Sequence, residues 1–149
     1  MKGMKIFIAG PLFSQAEREF NAKLDELLRK NGFETILPQR DIGEVWKTDI
    51  NYRKIYEMDL RAIEEADVVV AVLDGPDVDS GTAFEIGYAT AKGKPVVGLK
   101  TDIRTFAQME EVNNMILQSV RKIVKDFESL LIVLKEIREA GEDSLFPSR

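Results

Sequence analysis

The chain has 149 residues, of which 44% are apolar and 32% charged, and its formal net charge is −5. That length and balance describe one globular domain with room for a core, and no apolar run approaches the roughly 18 residues that span a bilayer. It contains neither cysteine nor histidine, which excludes disulfides, thiolate zinc sites, Ser-His-Asp triads and histidine-ligated metals.

Acid–base chemistry in such a chain falls to carboxylates, lysines or tyrosines. The acidic balance argues against a nucleic-acid polymer as partner, because phosphate backbones select basic surfaces. Met1 to Lys5 lead directly into a short apolar run with no cleavage pattern after it, so a cytoplasmic location is expected. No metal or cofactor is implied.

The first predicted strand is Lys5 to Ala9, ending in Gly10-Pro11. A helix follows from Ser14 to Lys30, with Ser14 and Glu17 as a capping box and Phe20, Leu24, Leu27 and Leu28 as its buried stripe. Asn31-Gly32 stops it. The second strand covers Phe33 to Leu37 and ends at Pro38. Residues 39–52 read as a long polar loop containing Trp46, a candidate surface for stacking a base or for packing on a neighbouring subunit. A helix from Arg53 to Glu65 leads to Val68–Leu73, the unbroken apolar run of a central parallel strand. A helix over Ser80 to Lys92, a strand over Pro95 to Leu99, a short helix over Met109 to Gln118 and a weak strand over Lys122 to Val124 follow. The last helix starts at Asp126 and buries Phe127, Leu130, Leu131, Leu134 and Ile137. The domain spans residues 1–140, and the tail 141–149 is expected to fray.

Alternating strands and amphipathic helices predict an α/β fold, a flavodoxin-like doubly wound sheet of five parallel strands in the order 2-1-3-4-5, with helices on both faces. The order reverses between the first and third strands, so a ligand belongs at their carboxyl ends, beside Gly10 and Asp74-Gly75.

Two carboxylates sit at unusual positions. Glu85 is the one charged residue in Ser80–Ala91, a helix whose apolar surround predicts burial on most sides, with small residues bringing it close to the sheet. The helix dipole is expected to favour the ionised form of Glu85, as a nucleophile requires. A solvated glutamate on an exposed stripe with Phe84 and Tyr88 is equally open. Asp59 falls within the stripe Ile55, Met58, Ala62, Ile63, Ala66, where desolvation raises a carboxyl pKa and suits it to act as an acid. The alternative is a bond to neighbouring backbone, or an ion pair with Arg61 or Arg104. Asp79 precedes Ser80 as a helix cap, a role compatible with a ligand contact. Two convergent carboxyl groups without histidine are the tools of glycoside chemistry.

Three segments carry a resemblance. Lys5-Ile-Phe-Ile-Ala-Gly-Pro11, then Asp59 with Ala66-Asp-Val-Val-Val-Ala71, then Asp79-Ser-Gly-Thr-Ala-Phe-Glu-Ile-Gly-Tyr-Ala89 together resemble the nucleoside 2-deoxyribosyltransferase family over residues 4–124. Gly93-Lys94-Pro95 fits as well. The resemblance implies that Glu85 attacks C1′ of a 2′-deoxynucleoside and forms a covalent deoxyribosyl-enzyme, from which the sugar passes to a second nucleobase. It implies that Asp59 assists protonation of the base and that Asp79 binds the 5′-hydroxyl, with Gly10, Ser80 and Gly81 around the substrate. Asn113 is implied to reach the site from a neighbouring subunit, so a homodimer or higher homo-oligomer is expected. In related 5′-monophosphate N-glycosidases the position of Asp79 tends to be a serine, so Asp79 favours nucleosides. Phe7 departs from the family pattern, which has a tyrosine that orients the catalytic glutamate; Tyr88 and Tyr52 are candidates to compensate. Two rivals stand beside this reading: hydrolysis of deoxynucleosides or their 5′-monophosphates, and a non-catalytic nucleotide-binding or sensor domain.

Overall fold

The computed structural model describes residues 3–43 and 49–143. Five strands form one all-parallel sheet in the order β2-β1-β3-β4-β5: β1 Lys5–Ala9, β2 Glu34–Ile36, β3 Val68–Val72, β4 Val96–Leu99 and β5 Lys122–Val124. Six helices surround it: α1 Gln15–Lys30, α2 Pro38–Asp41, α3 Tyr52–Glu65, α4 Ser80–Ala91, α5 Asn114–Ser119 and α6 Phe127–Asp143. This is the doubly wound, flavodoxin-like topology expected from the pattern. Among the described residues, no helix is long and apolar enough to cross a membrane.

The pleat divides the core into two layers. Ile6 and Ile8 of β1, with Val68, Val70 and Val72 of β3, point to the layer where Leu24 and Leu28 of α1 meet Leu130 and Leu134 of α6. Phe7, Ala9, Val69 and Ala71 point to the other layer, built from Ala62 and Ile63 of α3, Ile86 and Ala89 of α4, and Ile116 of α5. A strand buried on both faces has no polar face to show, which is why β3 reads as five consecutive apolar residues.

Local chemistry ends the elements where the sequence indicates. The Ser14 capping box forms, with Glu17 N donating to Ser14 Oγ at 3.1 Å and Ser14 N donating to Glu17 Oε1 at 2.8 Å. Gly32 follows the end of α1 at φ +86°, a conformation that favours glycine. Asp67, beside β3, accepts from Lys5 N at 2.8 Å and so ties β1 to the start of β3.

Four expectations are corrected. Residues 38–41, expected as strand stop and loop, form the single turn α2, with Pro38 at its first position, where no N–H is needed. The helix expected from Met109 begins at Asn114, because a bridge between Ala107 and Glu110 makes a tight turn first. Helix α6 continues through Gly141 to Asp143. Helix α4 is buried along only one line, Thr82, Ile86 and Ala89, while Gly81, Gly87 and Ala91 lie on its exposed side. Of its small residues, Ala89 is fully buried and Ala83 packs against the core, whereas Gly81, Gly87 and Ala91 take no part in bringing the helix onto the sheet, and Phe84 stands 52% exposed.

Candidate active site

At the carboxyl ends of β1 and β3 the chain reverses its winding, and a cavity of about 190 Å³ opens there. Gly10 follows β1 and forms one wall; a Cβ at that position would lie 3.2 Å from Val72 Cβ, tight enough that the strand ends would have to give by a few tenths of an ångström. Helix α3 presents Asp59 to the cavity, and helix α4 presents Glu85. Asp79, at the N-terminus of α4, completes a group of three carboxyl groups around one space. Among the described residues lining it there is no lysine or arginine.

The electrostatics follow from that acidic enclosure. Burial raises the Asp59 carboxyl to about 6, and its Oδ1 is buried without a hydrogen-bond partner among the described residues. The alternatives for Asp59 are therefore not realised at that atom, and Arg104 instead donates to Asp102. Burial also raises Glu85 well above the ordinary carboxylate range, and the nearby charges of Asp59 and Asp79 push it further. This corrects the expectation that the helix dipole would favour the ionised form. Glu85 is the sixth residue of α4, beyond the first turn where the dipole acts, while like charges and desolvation act at full strength.

Asp79 caps α4 with one oxygen. Its Oδ2 accepts from Thr82 N at 3.1 Å and Thr82 Oγ1 at 3.2 Å, so among the described residues the cap engages one of its two oxygens while the residue lines the cavity. Cap and ligand contact are thus compatible. Gly81 also lines the cavity; a Cβ there would lie 3.3 Å from Asp79 Oδ2.

The remaining sequence candidates are placed elsewhere. Ser80 is exposed and does not line the cavity. Phe7 is fully buried in the layer between the sheet and helices α3 and α4, so it supports the site from beneath and does not line it. The proposed substitutes for its missing hydroxyl do not reach Glu85: Tyr88 Oη donates to Glu64, and Tyr52 is 71% exposed, outside the cavity lining. Asn113 caps α5, its Oδ1 accepting from Met115 N at 2.9 Å, and it does not line the cavity of its own chain. Trp46 lies outside the described residues. Among the described residues no group of three or more side chains is arranged to hold a metal ion.

Residues 6–130 match the model of the nucleoside 2-deoxyribosyltransferase family. The chain belongs to that family. Its members act on nucleosides and nucleobases. A relative in Thermofilum pendens, provisionally named 2′-deoxynucleoside 5′-phosphate N-hydrolase 1, is 34% identical over 116 residues, 76% of each chain. A conserved protein from Enterococcus faecalis V583 superposes with a TM-score of 0.77 at 33% identity, covering 90% of this chain and 98% of its own. The 2-deoxyribosyltransferase of Bacillus psychrosaccharolyticus superposes with a TM-score of 0.71 at 27% identity, covering 85% and 89%.

Three aromatic side chains that the sequence did not assign to the site line this cavity: Phe13, Tyr56 and Phe84. The ring centroids of Tyr56 and Phe84 are 6.2 Å apart. The signal was available for Tyr56, which stands three residues before Asp59 and so shares its helix face; Phe84, next to Glu85, points about 100° away and reaches the cavity only because α4 packs along its Thr82–Ile86–Ala89 line. Leu60 and Pro38 add apolar wall. Pro38 could not be found locally, since α2 is held against α1 by Arg40, whose Nη1 donates to Asp25 Oδ2 at 2.8 Å.

Proposed function

We propose that this enzyme cleaves the N-glycosidic bond of 2′-deoxynucleosides and transfers the deoxyribose to another nucleobase, with Glu85 as nucleophile and Asp59 as acid. The observation that carries the reading is the meeting of three carboxyl groups in one cavity, two of them raised. Like charges in a shared desolvated space keep a proton between Glu85 and Asp59 near neutral pH. The reaction needs that proton on Asp59 and Glu85 ionised, the arrangement assigned to the substrate-bound cavity, where the base nitrogen faces Asp59 and C1′ faces Glu85. A Glu85 carboxylate oxygen bonds to C1′, the C1′–N bond breaks, and its electron pair leaves with the base, which takes the Asp59 proton. A second base then attacks C1′ through a ring nitrogen, Glu85 departs as carboxylate, and the proton of the incoming base returns to Asp59. Two inversions retain the β-configuration.

Asp79 Oδ1 accepts the 5′-hydroxyl. A carboxylate in that place repels a phosphate dianion, and among the described residues lining the cavity there is no lysine or arginine to offset the repulsion. The name of the Thermofilum relative favours 5′-monophosphate hydrolysis as the second reading; the three acids around the cavity favour the nucleoside. Asn113 reaches the site from a second copy of the chain. Phe106, Met109, Met115 and Leu117, all exposed around it, give that copy an apolar surface to cover.

The test is chromatography of the protein incubated with 2′-deoxyadenosine and cytosine, beside Glu85→Ala and beside dAMP as substrate. The expected products are 2′-deoxycytidine and adenine, absent with Glu85→Ala. Adenine with free deoxyribose identifies a hydrolase, and turnover of dAMP alone refutes the nucleoside assignment.

A further inference from the structure

Lys100, immediately after β4, is 1% exposed. Its Nζ donates to Gly75 O at 3.1 Å and to Asp102 Oδ1 at 2.6 Å. Asp102 Oδ2 in turn accepts from Gly75 N at 2.9 Å and from Arg104 Nε at 2.6 Å. Both polar groups of Gly75 are thus held by one ion pair. One residue earlier, Asp74 accepts from Thr101 N at 2.6 Å and from Thr101 Oγ1. Gly75 has φ +113°, a backbone state that an L side chain rarely adopts. Four residues later the same loop delivers Asp79, fixed at its own end by the Thr82 cap.

We propose that Lys100, acting through Asp102 and Gly75, is a positioning residue that sets where Asp79 stands in the cavity. The inference rests on the reading of Asp79 as the acceptor of the sugar 5′-hydroxyl. Stability does not account for a buried lysine here, because a buried ion pair is no better for the fold than apolar side chains of the same volume. Geometry does. The β3–α4 loop crosses the switch point, where a loop without such a tie would leave a hydroxyl-binding carboxylate free to wander, and a displacement of about 1 Å is enough to lose the contact. Burial would raise the Asp102 carboxyl, but the bonds from Lys100, Gly75 and Arg104 outweigh it and take that carboxyl down to about 2, as a permanently charged anchor requires.

The test compares kcat and KM for 2′-deoxyadenosine and 2′,5′-dideoxyadenosine, which lacks the 5′-hydroxyl, in the parent, Lys100→Met, Asp79→Asn and the double variant. A hydrogen bond to a charged acceptor gives the parent a preference of roughly 10- to 150-fold in kcat/KM for the hydroxylated substrate. Lys100→Met is expected to bring that preference within about threefold of unity, chiefly through KM, and to leave the dideoxy substrate nearly unaffected. The double variant is expected to be no worse than Asp79→Asn alone. Asp102→Asn, which weakens the same anchor without leaving a hole, is expected to act as Lys100→Met does and serves where that variant fails to fold. Equal loss on both substrates makes Lys100 a merely structural residue and overturns the proposal, as does full retention of the preference. A parent without any preference for the 5′-hydroxyl removes the Asp79 reading itself, and the proposal with it.

Discussion

Asp59 occupies a position where a carboxylate is expensive. Its stripe partners on α3 are apolar, Oδ1 has no partner among the described residues, and burial lifts the group to about 6. Keeping it charged at neutral pH costs the fold up to about 3 kcal/mol, which is hard to reconcile with a packing role. Proton donation to a departing base uses the same property. Asp59→Asn is therefore expected to lower kcat for adenine release by roughly 10²- to 10⁴-fold, the usual contribution of a general acid. The alkaline limb of the pH–rate profile, set by loss of the shared proton, should disappear with it. Steady-state rates between pH 5 and 9 check both effects, and a rate within twofold of the parent would make Asp59 structural. Glu85→Gln isolates the other member of the pair: it keeps the volume and removes the nucleophile, so chemistry stops while binding of 2′-deoxyadenosine, followed by calorimetry, persists.

At the scale of elements, the close approach of β3 and β4 decides how firmly the site is held. Gly98 of β4 faces Leu73, and a Cβ at Gly98 would lie 2.6 Å from Leu73 Cδ1 and 3.3 Å from Ile123 Cγ1. Leu73 is 1% exposed and has little room to turn away. Gly98→Ala is expected to destabilise the chain by about 1–3 kcal/mol, as overpacking does, visible as a lower urea midpoint with an unchanged m-value. An unchanged midpoint would mean that Leu73 repacks freely. The five strands, their order and the switch point were legible because each rests on local signals: apolar runs of strand length, the Ser14–Glu17 box, the Asn31-Gly32 stop. Glu85 and Asp59 stood out as charges out of pattern, and Asp79 as a helix cap at the cleft. What escaped depends on distant residues. Helix α2 needs Arg40 to meet Asp25 and Thr35 across α1 and β2. The exposed side of α4 depends on what else packs on the sheet, and the ionisation of Glu85 depends on two carboxylates contributed by other segments. Lys100 looks like any surface lysine until Asp102 and Gly75 are placed around it.

At the scale of the whole molecule, the shifted carboxylates act on stability in two opposed senses. Asp102 has its folded pKa depressed to about 2 against an ordinary 3.8. The unfolded chain binds more protons there across that window, so this contribution is present above pH 4 and is lost as pH falls toward 2. Asp59 runs the other way, raised from 3.8 to about 6, and Glu85 is raised in the same sense. The folded chain binds the extra protons, so stability falls as pH rises from about 4, and the Asp59 penalty is complete above about 6. Taken together, Asp102 and Asp59 favour the fold most between about pH 4 and 5. Asp59→Asn imitates the protonated acid, so it should match the parent near pH 4 and exceed it by up to about 3 kcal/mol at pH 8. Urea unfolding of parent and variant at pH 4.5 and pH 8 measures the difference directly. A variant less stable than the parent at pH 8 would show that charged Asp59 has a partner that holds it. A gain confined to the higher pH, in a protein that has lost its chemistry, is what a site built from mutually repelling carboxylates requires.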